Sequence, residues 1–161
     1  GLYGVVIGNF ISGESMFSLE QNASKFALYF LLSRLKELNI YQELEEHWQK
    51  HVKPIIEPYW NPMVVEGVRD AFMLKYSTDS QTKLALHHDS SHVTGSVKLN
   101  KNYKGGELFF PRQGISNADI PVGKLLLFPG QVTHPHECVE LIEGTKYSLT
   151  IWSQRYKGDI L

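Results

Sequence analysis

The chain has 161 residues, 42% of them hydrophobic and 20% charged, with 16 Lys+Arg against 17 Asp+Glu and a net charge of -1. That length suits one domain able to bury its own core, and the composition is that of an ordinary soluble globular protein. The near-balance of charge removes the electrostatic reason to expect nucleic acid or an anionic membrane as partner, and the one cysteine, Cys138, excludes an internal disulfide. No apolar run approaches transmembrane length, and no signal-peptide pattern opens the chain, which starts on glycine. Together with the single cysteine this leads to the expectation of an intracellular protein without a membrane anchor.

Residues from about 15 to 60 read as helical. Within Ser18–Asn39, apolar Leu19, Ala23, Phe26, Ala27, Phe30, Leu31 and Leu35 recur at steps of three and four, the period of an amphipathic helix. Ser15 or Ser18 suits its start, and Asn39 lies where a helix commonly ends. A second helix is predicted from Tyr41 to about Ile56, with Leu44, Trp48, Val52 and Ile55 on one face and Pro58 as its terminator.

After Trp60 the texture changes. Val68–Tyr76, Lys83–His88, Val93–Leu99, Glu107–Phe110, Lys124–Phe128, Val132–His136 and Tyr147–Trp152 are short runs rich in β-branched, aromatic and aliphatic residues, separated by clusters of Gly, Pro, Asn, Asp and Ser. This is the pattern of an all-β sandwich or barrel, and a weaker run near Ile115–Ile120 brings the count to about eight strands. No helical stretch interrupts the runs, so a βαβ parallel sheet is not expected. The reading is a single domain over 1–161: mainly β, with helical support at about 15–60 packed outside a β core at about 67–154.

His87-His88-Asp89 falls at the end of one predicted strand. Side chains two apart on a strand share a face, so His87 and Asp89 form a two-point metal clasp while His88 points the other way. A second imidazole is available from His134 or His136, which also share a face, so alternation does not choose between them. Lys146 lies ten positions after His136 and twelve after His134. Two imidazoles and one carboxylate are the facial donor set of non-haem Fe(II) sites, and a lysine beyond them suits an acidic co-substrate. Taken singly, each feature has a plainer explanation: an exposed lysine, core aromatics at Tyr76 and Trp152, a turn at Gly105-Gly106. His47 and His51 lie one helical turn apart without His-Glu-x-x-His and read as surface or packing residues. Cys138 has no nucleophile pattern around it and reads as a small buried residue.

In combination and in order, the pieces resemble the Fe(II)- and 2-oxoglutarate-dependent oxygenases, and among them the prolyl- and lysyl-hydroxylase-like branch. The resemblance runs over roughly Trp48 to Gln154. It is carried by Tyr76, His87-x-Asp89, Tyr103-Lys104-Gly105-Gly106-Glu107-Leu108-x-Phe110, Gly123-Lys124-Leu125-Leu126-Leu127-Phe128-Pro129-Gly130, His136-Glu137, Gly144-x-Lys146 and Ile151-Trp152. It implies a double-stranded β-helix, the jelly-roll, with two helices outside it. Iron would be held by His87, Asp89 and His136, and the far carboxylate of 2-oxoglutarate by Lys146. Many relatives have arginine at that place; lysine supplies a point charge without the bidentate fork. Tyr76 matches a tyrosine that hydrogen-bonds the co-substrate, and Thr94, Ser148 and Trp152 are expected to line the pocket. Ser96 stands where the lysyl type has asparagine.

The activity implied is hydroxylation of an unactivated C–H bond by dioxygen, coupled to decarboxylation of 2-oxoglutarate, with ascorbate as a further cofactor. The substrate implied is a lysyl or prolyl residue of a peptide or protein, with the lysyl type ahead. The loops Ser77–Lys83, Asn100–Lys104 and Gln113–Ala118 are expected to rim the mouth. The alternatives are an oxygenase of small molecules or nucleobases, and a cupin-like module that binds metal without turnover. Succinate release separates the last from the others.

Overall fold

The computed structural model describes residues 5–7, 29–30, 39–60 and 67–153. Its helical part is one continuous stretch: α1 (Ile40–His47), a π-helical turn at Trp48–Val52, and α2 (Lys53–Trp60). Leu44, Trp48 and Val52 are fully buried as the pattern requires, but Ile55 is exposed and Ile56 takes its place in the core. The π-turn is the reason. Lys53 N–H reaches back five residues to the Trp48 carbonyl, so a turn takes up more residues and steps of four stay on one face. The widened turn also lets the Pro54 ring clear the carbonyl four residues before it, a clash that an α-helix would impose. Pro58 does not end the helix, which continues to Trp60.

The first predicted helix is corrected where it is described. Tyr29–Phe30 form a short strand, β2, paired with Leu74 and Met73; two aromatic residues beside a free sheet edge gain more from pairing than from the helical period. Asn39, with φ 60, stands at the N-cap of α1. The remainder of Ser18–Leu38, with its capping serines, lies outside the described residues.

The other strands are β1 (Val5–Ile7), β3 (Val68–Ser77), β4 (Leu84–His87), β5 (Val93–Lys98), β6 (Tyr103–Gly105), β7 (Leu108–Phe110), β8 (Ile115–Ser116), β9 (Leu125–Pro129), β10 (His136–Cys138) and β11 (Leu141–Ser153). β1 and β6 match no predicted run, and two others differ materially from expectation. The Val132–His136 run is a bend followed by the first residue of β10: Val132 has φ 63, which no strand accommodates, and Pro135 has no N–H to give a ladder. β11 starts six residues before the predicted Tyr147, because Leu141–Gly144 pairs with the unpredicted β6.

All pairings are antiparallel. The larger sheet runs β1-β9-β5-β11-β3-β2, with β6 on the extension of β11, and the smaller runs β4-β10-β7-β8. This is the jelly-roll, with its helical stretch outside. Alternation divides the larger sheet between two environments. Ala71, Met73, Val93, Val97, Leu125, Leu127, Leu149 and Ile151 form one core with Leu44, Trp48, Val52 and Ile56 of the helical stretch. The residues between them, among them Phe72, Leu74, Tyr76, Thr94, Ser96, Lys146, Ser148 and Trp152, line a cavity that the smaller sheet closes from the other side. The helical support thus holds one face of the sheet that presents the cavity from its other face. No helix among the described residues is long and apolar enough to cross a membrane.

Candidate active site

His87 ends β4 and His136 begins β10, and the two are direct cross-strand neighbours with ring centroids 4.5 Å apart. Asp89 follows two residues after His87, its backbone N–H held by the Gly130 carbonyl at 2.7 Å. Gly130 is glycine for a steric reason: a Cβ there would lie 2.2 Å from the Ser91 carbonyl oxygen. The Phe-Pro-Gly turn can therefore press against the loop that carries Asp89. Asp89 Oδ1 lies 3.3 Å from His87 Nε2 and 3.2 Å from His136 Nε2, and the three donor atoms fall within 4.8 Å of one another. Among the described residues this is the one such cluster.

Each donor is oriented from behind. His87 Nδ1 bonds the Ala85 carbonyl at 2.7 Å and His136 Nδ1 bonds the His134 carbonyl at 2.9 Å. A carbonyl only accepts, so both Nδ1 atoms carry a proton and both Nε2 atoms face Asp89: protonated, Nε2 donates to the carboxylate, and deprotonated, its lone pair is available to a metal. Thr94 donates to Asp89 Oδ2 at 2.9 Å, leaving Oδ1 toward the imidazoles. Ligand imidazoles tied back to backbone carbonyls and a ligand carboxylate tied to a hydroxyl are the outer supports of metal sites. Burial opposes the charge on Asp89, but bonds from His136, His87 and Thr94 outweigh it and hold the carboxyl well below its usual range. His87 is raised by its bond to Asp89, against a smaller opposing effect of burial. Two imidazole nitrogens and one carboxylate oxygen from one side suit a first-row divalent ion such as Fe(II) and leave its other positions open.

His134 and His88 do not join the cluster. His134 is buried, with Nδ1 on the Thr133 hydroxyl at 2.8 Å. It serves the cluster through its carbonyl. Burial, then His136 and Arg112, push its imidazole down. His88 turns to the Val132 carbonyl. His47 and His51 pack edge to face on the helical stretch, far along the chain from the cluster.

Lys146 sits on β11 opposite Tyr76 of β3 and is only 4% exposed. Its ammonium donates to the Gly106 carbonyl, lies 3.7 Å from Cys138 Sγ and 5.3 Å from the centre of the Tyr76 ring. Gly105 and Gly106 have φ 76 and 69, a backbone only glycine adopts freely, and this path turns the Gly106 carbonyl to the lysine. No carboxylate among the described residues pairs with Lys146, and burial pushes its ammonium below the ordinary lysine value. Glu107 offsets that burial only at longer range, and a buried cation with no carboxylate in contact is a costly arrangement that a bound anion relieves. Burial likewise raises the Cys138 thiol, against the lowering effect of Lys146, so it stays a protonated packing residue.

The cavity, about 300 Å³, is lined by all nine residues singled out in the sequence: Tyr76, His87, Asp89, Thr94, Ser96, His136, Lys146, Ser148 and Trp152. It is also lined by Phe72, Leu74, Leu84, Leu108, Phe128 and Thr150, which sequence reasoning did not single out. The two-residue step was a usable signal for some of them: Thr150 completes Lys146-Ser148-Thr150-Trp152, and Leu74 and Phe72 precede Tyr76 on the same face. Of the three loops expected at the mouth, Ser77–Lys83 contributes Gln81. The stretches 100–104 and 113–118 border separate hollows instead, because β6 and β8 draw them to other edges.

Curated relatives match part of this chain. Procollagen-lysine,2-oxoglutarate 5-dioxygenase of Drosophila melanogaster is 39% identical over 79 residues, 47% of this chain and 11% of that protein. Procollagen-lysine,2-oxoglutarate 5-dioxygenase 1 of Bos taurus is 30% identical over 117 residues, 70% of this chain and 16% of that protein. Among solved structures, the viral collagen prolyl hydroxylase of Paramecium Bursaria Chlorella virus-1 in its 2OG complex superposes with a TM-score of 0.71 at 17% identity, covering 98% of each chain.

The chain belongs to the Fe(II)- and 2-oxoglutarate-dependent oxygenases, in their prolyl- and lysyl-hydroxylase-like branch. As a member of that family it spans 11% and 16% of the two lysyl-hydroxylase relatives. A family model described as leucyl/phenylalanyl-tRNA protein transferase also matches, over residues 1–52. That is less than half of the oxygenase chain and includes none of the cavity residues.

Proposed function

We propose that residues 1–161 form one Fe(II)- and 2-oxoglutarate-dependent dioxygenase domain that hydroxylates a lysyl or prolyl residue of a peptide or protein. The observation that carries this reading is the coexistence, in one cavity, of three convergent donors and a buried lysine with no carboxylate partner among the described residues. His87, Asp89 and His136 would hold Fe(II). Bound there, the metal supplies the dioxygen chemistry that couples oxidative decarboxylation of 2-oxoglutarate to oxidation of a C–H bond.

The chain's own residues bind and orient. Lys146 takes the far carboxylate of 2-oxoglutarate, with the Ser148 hydroxyl and the Tyr76 ring in the same part of the wall. Thr94 keeps Asp89 turned to the imidazoles, and the Ala85 and His134 carbonyls keep each imidazole in its Nδ1–H form. Leu74, Leu84, Leu108 and Phe128 give the cavity apolar walls that exclude water from the reacting groups. The lysyl-hydroxylase relatives support a peptidyl substrate. So does the structure of a Trichoplax adhaerens prolyl hydroxylase with a hypoxia inducible factor peptide, which has a TM-score of 0.69 at 17% identity.

The test is incubation of iron-loaded protein with 2-oxoglutarate, dioxygen, ascorbate and lysine- or proline-bearing collagen-like peptides. The expected result is succinate release together with a peptide mass gain of one oxygen atom, both lost in His136→Ala and both retained in His134→Ala. No succinate above a metal-only control would leave a binding module. Succinate with every peptide unmodified would remove the peptidyl substrate.

A further inference from the structure

His88 is the middle residue of the His87-His88-Asp89 clasp and the one left idle by the chemistry above. A residue between two same-face neighbours on an extended chain must point to the other side. His88 lies just past the end of β4, borders the cavity beside the donor trio, and is free to bond an adjoining segment rather than the metal position. His88 does so: its Nε2–H donates to the Val132 carbonyl at 3.1 Å. Arg112 donates to the same carbonyl at 3.0 Å, and Gln113 to the next one, Thr133, at 2.8 Å. Side chains from the end of β4 and from the turn between β7 and β8 therefore grip two consecutive carbonyls of the bend that leads into β10.

That bend needs holding. Val132 has φ 63, a left-handed backbone that a β-branched residue disfavours, and its side chain is 69% exposed, too open for packing to keep it there. Two residues further on is the His134 carbonyl, which receives His136 Nδ1–H. Movement of the bend moves that carbonyl, and with it the imidazole of His136.

We propose that His88 is a positioning residue: through the Val132 carbonyl it fastens the segment bearing His136 to the segment bearing His87 and Asp89, and so sets the spacing of the donor trio. The proposal rests on the reading of that trio as a metal site. It gives Arg112, which donates to the same carbonyl, the same task.

The experiment is titration of Co(II) into the metal-free chain, followed by its visible absorption, for wild type, His88→Ala, His88→Gln, Arg112→Ala and the double alanine variant. His88→Ala should weaken Co(II) binding about tenfold and alter the band shape. His88→Gln, whose amide N–H reaches the same carbonyl, should restore most of the affinity. The two alanine effects should be non-additive, because both donors serve one acceptor. Circular dichroism melts establish that each variant is folded, and if His88→Ala is not, the glutamine and Arg112 variants carry the comparison. Normal Co(II) binding by folded His88→Ala overturns the inference alone, as does a glutamine variant no better than alanine. Absence of Co(II) binding by the wild type overturns the metal-site reading and this inference with it.

Discussion

Replacing Lys146 by methionine removes a buried ammonium and keeps most of the stem volume that packs beside Tyr76 and Cys138. Two of the three N–H donors of the ammonium are already engaged, by the Gly106 carbonyl and the Cys138 sulfur, which leaves one for a ligand carboxylate. Truncating one partner of a buried charge pair costs upward of about 2 kcal/mol. A single-point contact belongs at the low end, about 2–3 kcal/mol, or roughly 30- to 150-fold in Kd for 2-oxoglutarate. The ligand-free protein should behave oppositely. Its lysine is 4% exposed and has no carboxylate partner among the described residues, so Lys146→Met should leave its Tm unchanged or raise it. The assay is anaerobic calorimetric titration of 2-oxoglutarate into Mn(II)-loaded wild type and variant, with 2-oxobutyrate, which lacks the far carboxylate, as control. Wild type should lose most of its preference for 2-oxoglutarate over 2-oxobutyrate on substitution, while 2-oxobutyrate binds both proteins alike. Equal 2-oxoglutarate affinity in the two proteins would refute the pairing and mean that another group receives the carboxylate.

Thr94→Val strips the hydroxyl from Asp89 Oδ2, and metal affinity measured with Co(II) should fall about tenfold while the fold, followed by its melt, is kept. The pH dependence of metal binding follows from His87: its bond to Asp89 raises it above an ordinary imidazole, so the metal competes with a proton there up to a pH above about 6.5. Apparent affinity should climb with pH through that range and then level off. Asp89, held low, should add no further dependence above pH ~4, and a flat profile from pH ~5 to 8 would contradict this assignment. Trp48 is fully buried between the helical stretch and the larger sheet, with its indole N–H unpartnered. Trp48→Ala should therefore cost about 3–5 kcal/mol in denaturant unfolding, whereas Trp48→Phe, which loses no hydrogen bond, should cost much less.

Much of the cavity was legible in the order of residues along the chain, because a strand's two-residue period is a local property. His87 with Asp89, Tyr76 with the residues before it, and Lys146 with Ser148 and Trp152 share faces by backbone geometry alone, whatever those strands pair with. The helical face of Leu44, Trp48 and Val52 is legible for the same reason. What the tertiary structure decided is wherever the local period met a contact from far along the chain. The period could not choose between His134 and His136; the left-handed backbone at Val132 and the missing N–H of Pro135 take His134 off the strand and leave its carbonyl behind His136. The period favoured Ile55; a π-turn before Pro54 put Ile56 in the core. It favoured a helix through Tyr29–Phe30; the free edge of β3 made them a strand. Side-chain direction is fixed within a few residues of chain, whereas register, sheet order and the hydrogen bonds that hold a bend are settled between segments tens of residues apart, where composition and spacing carry no record of the partner.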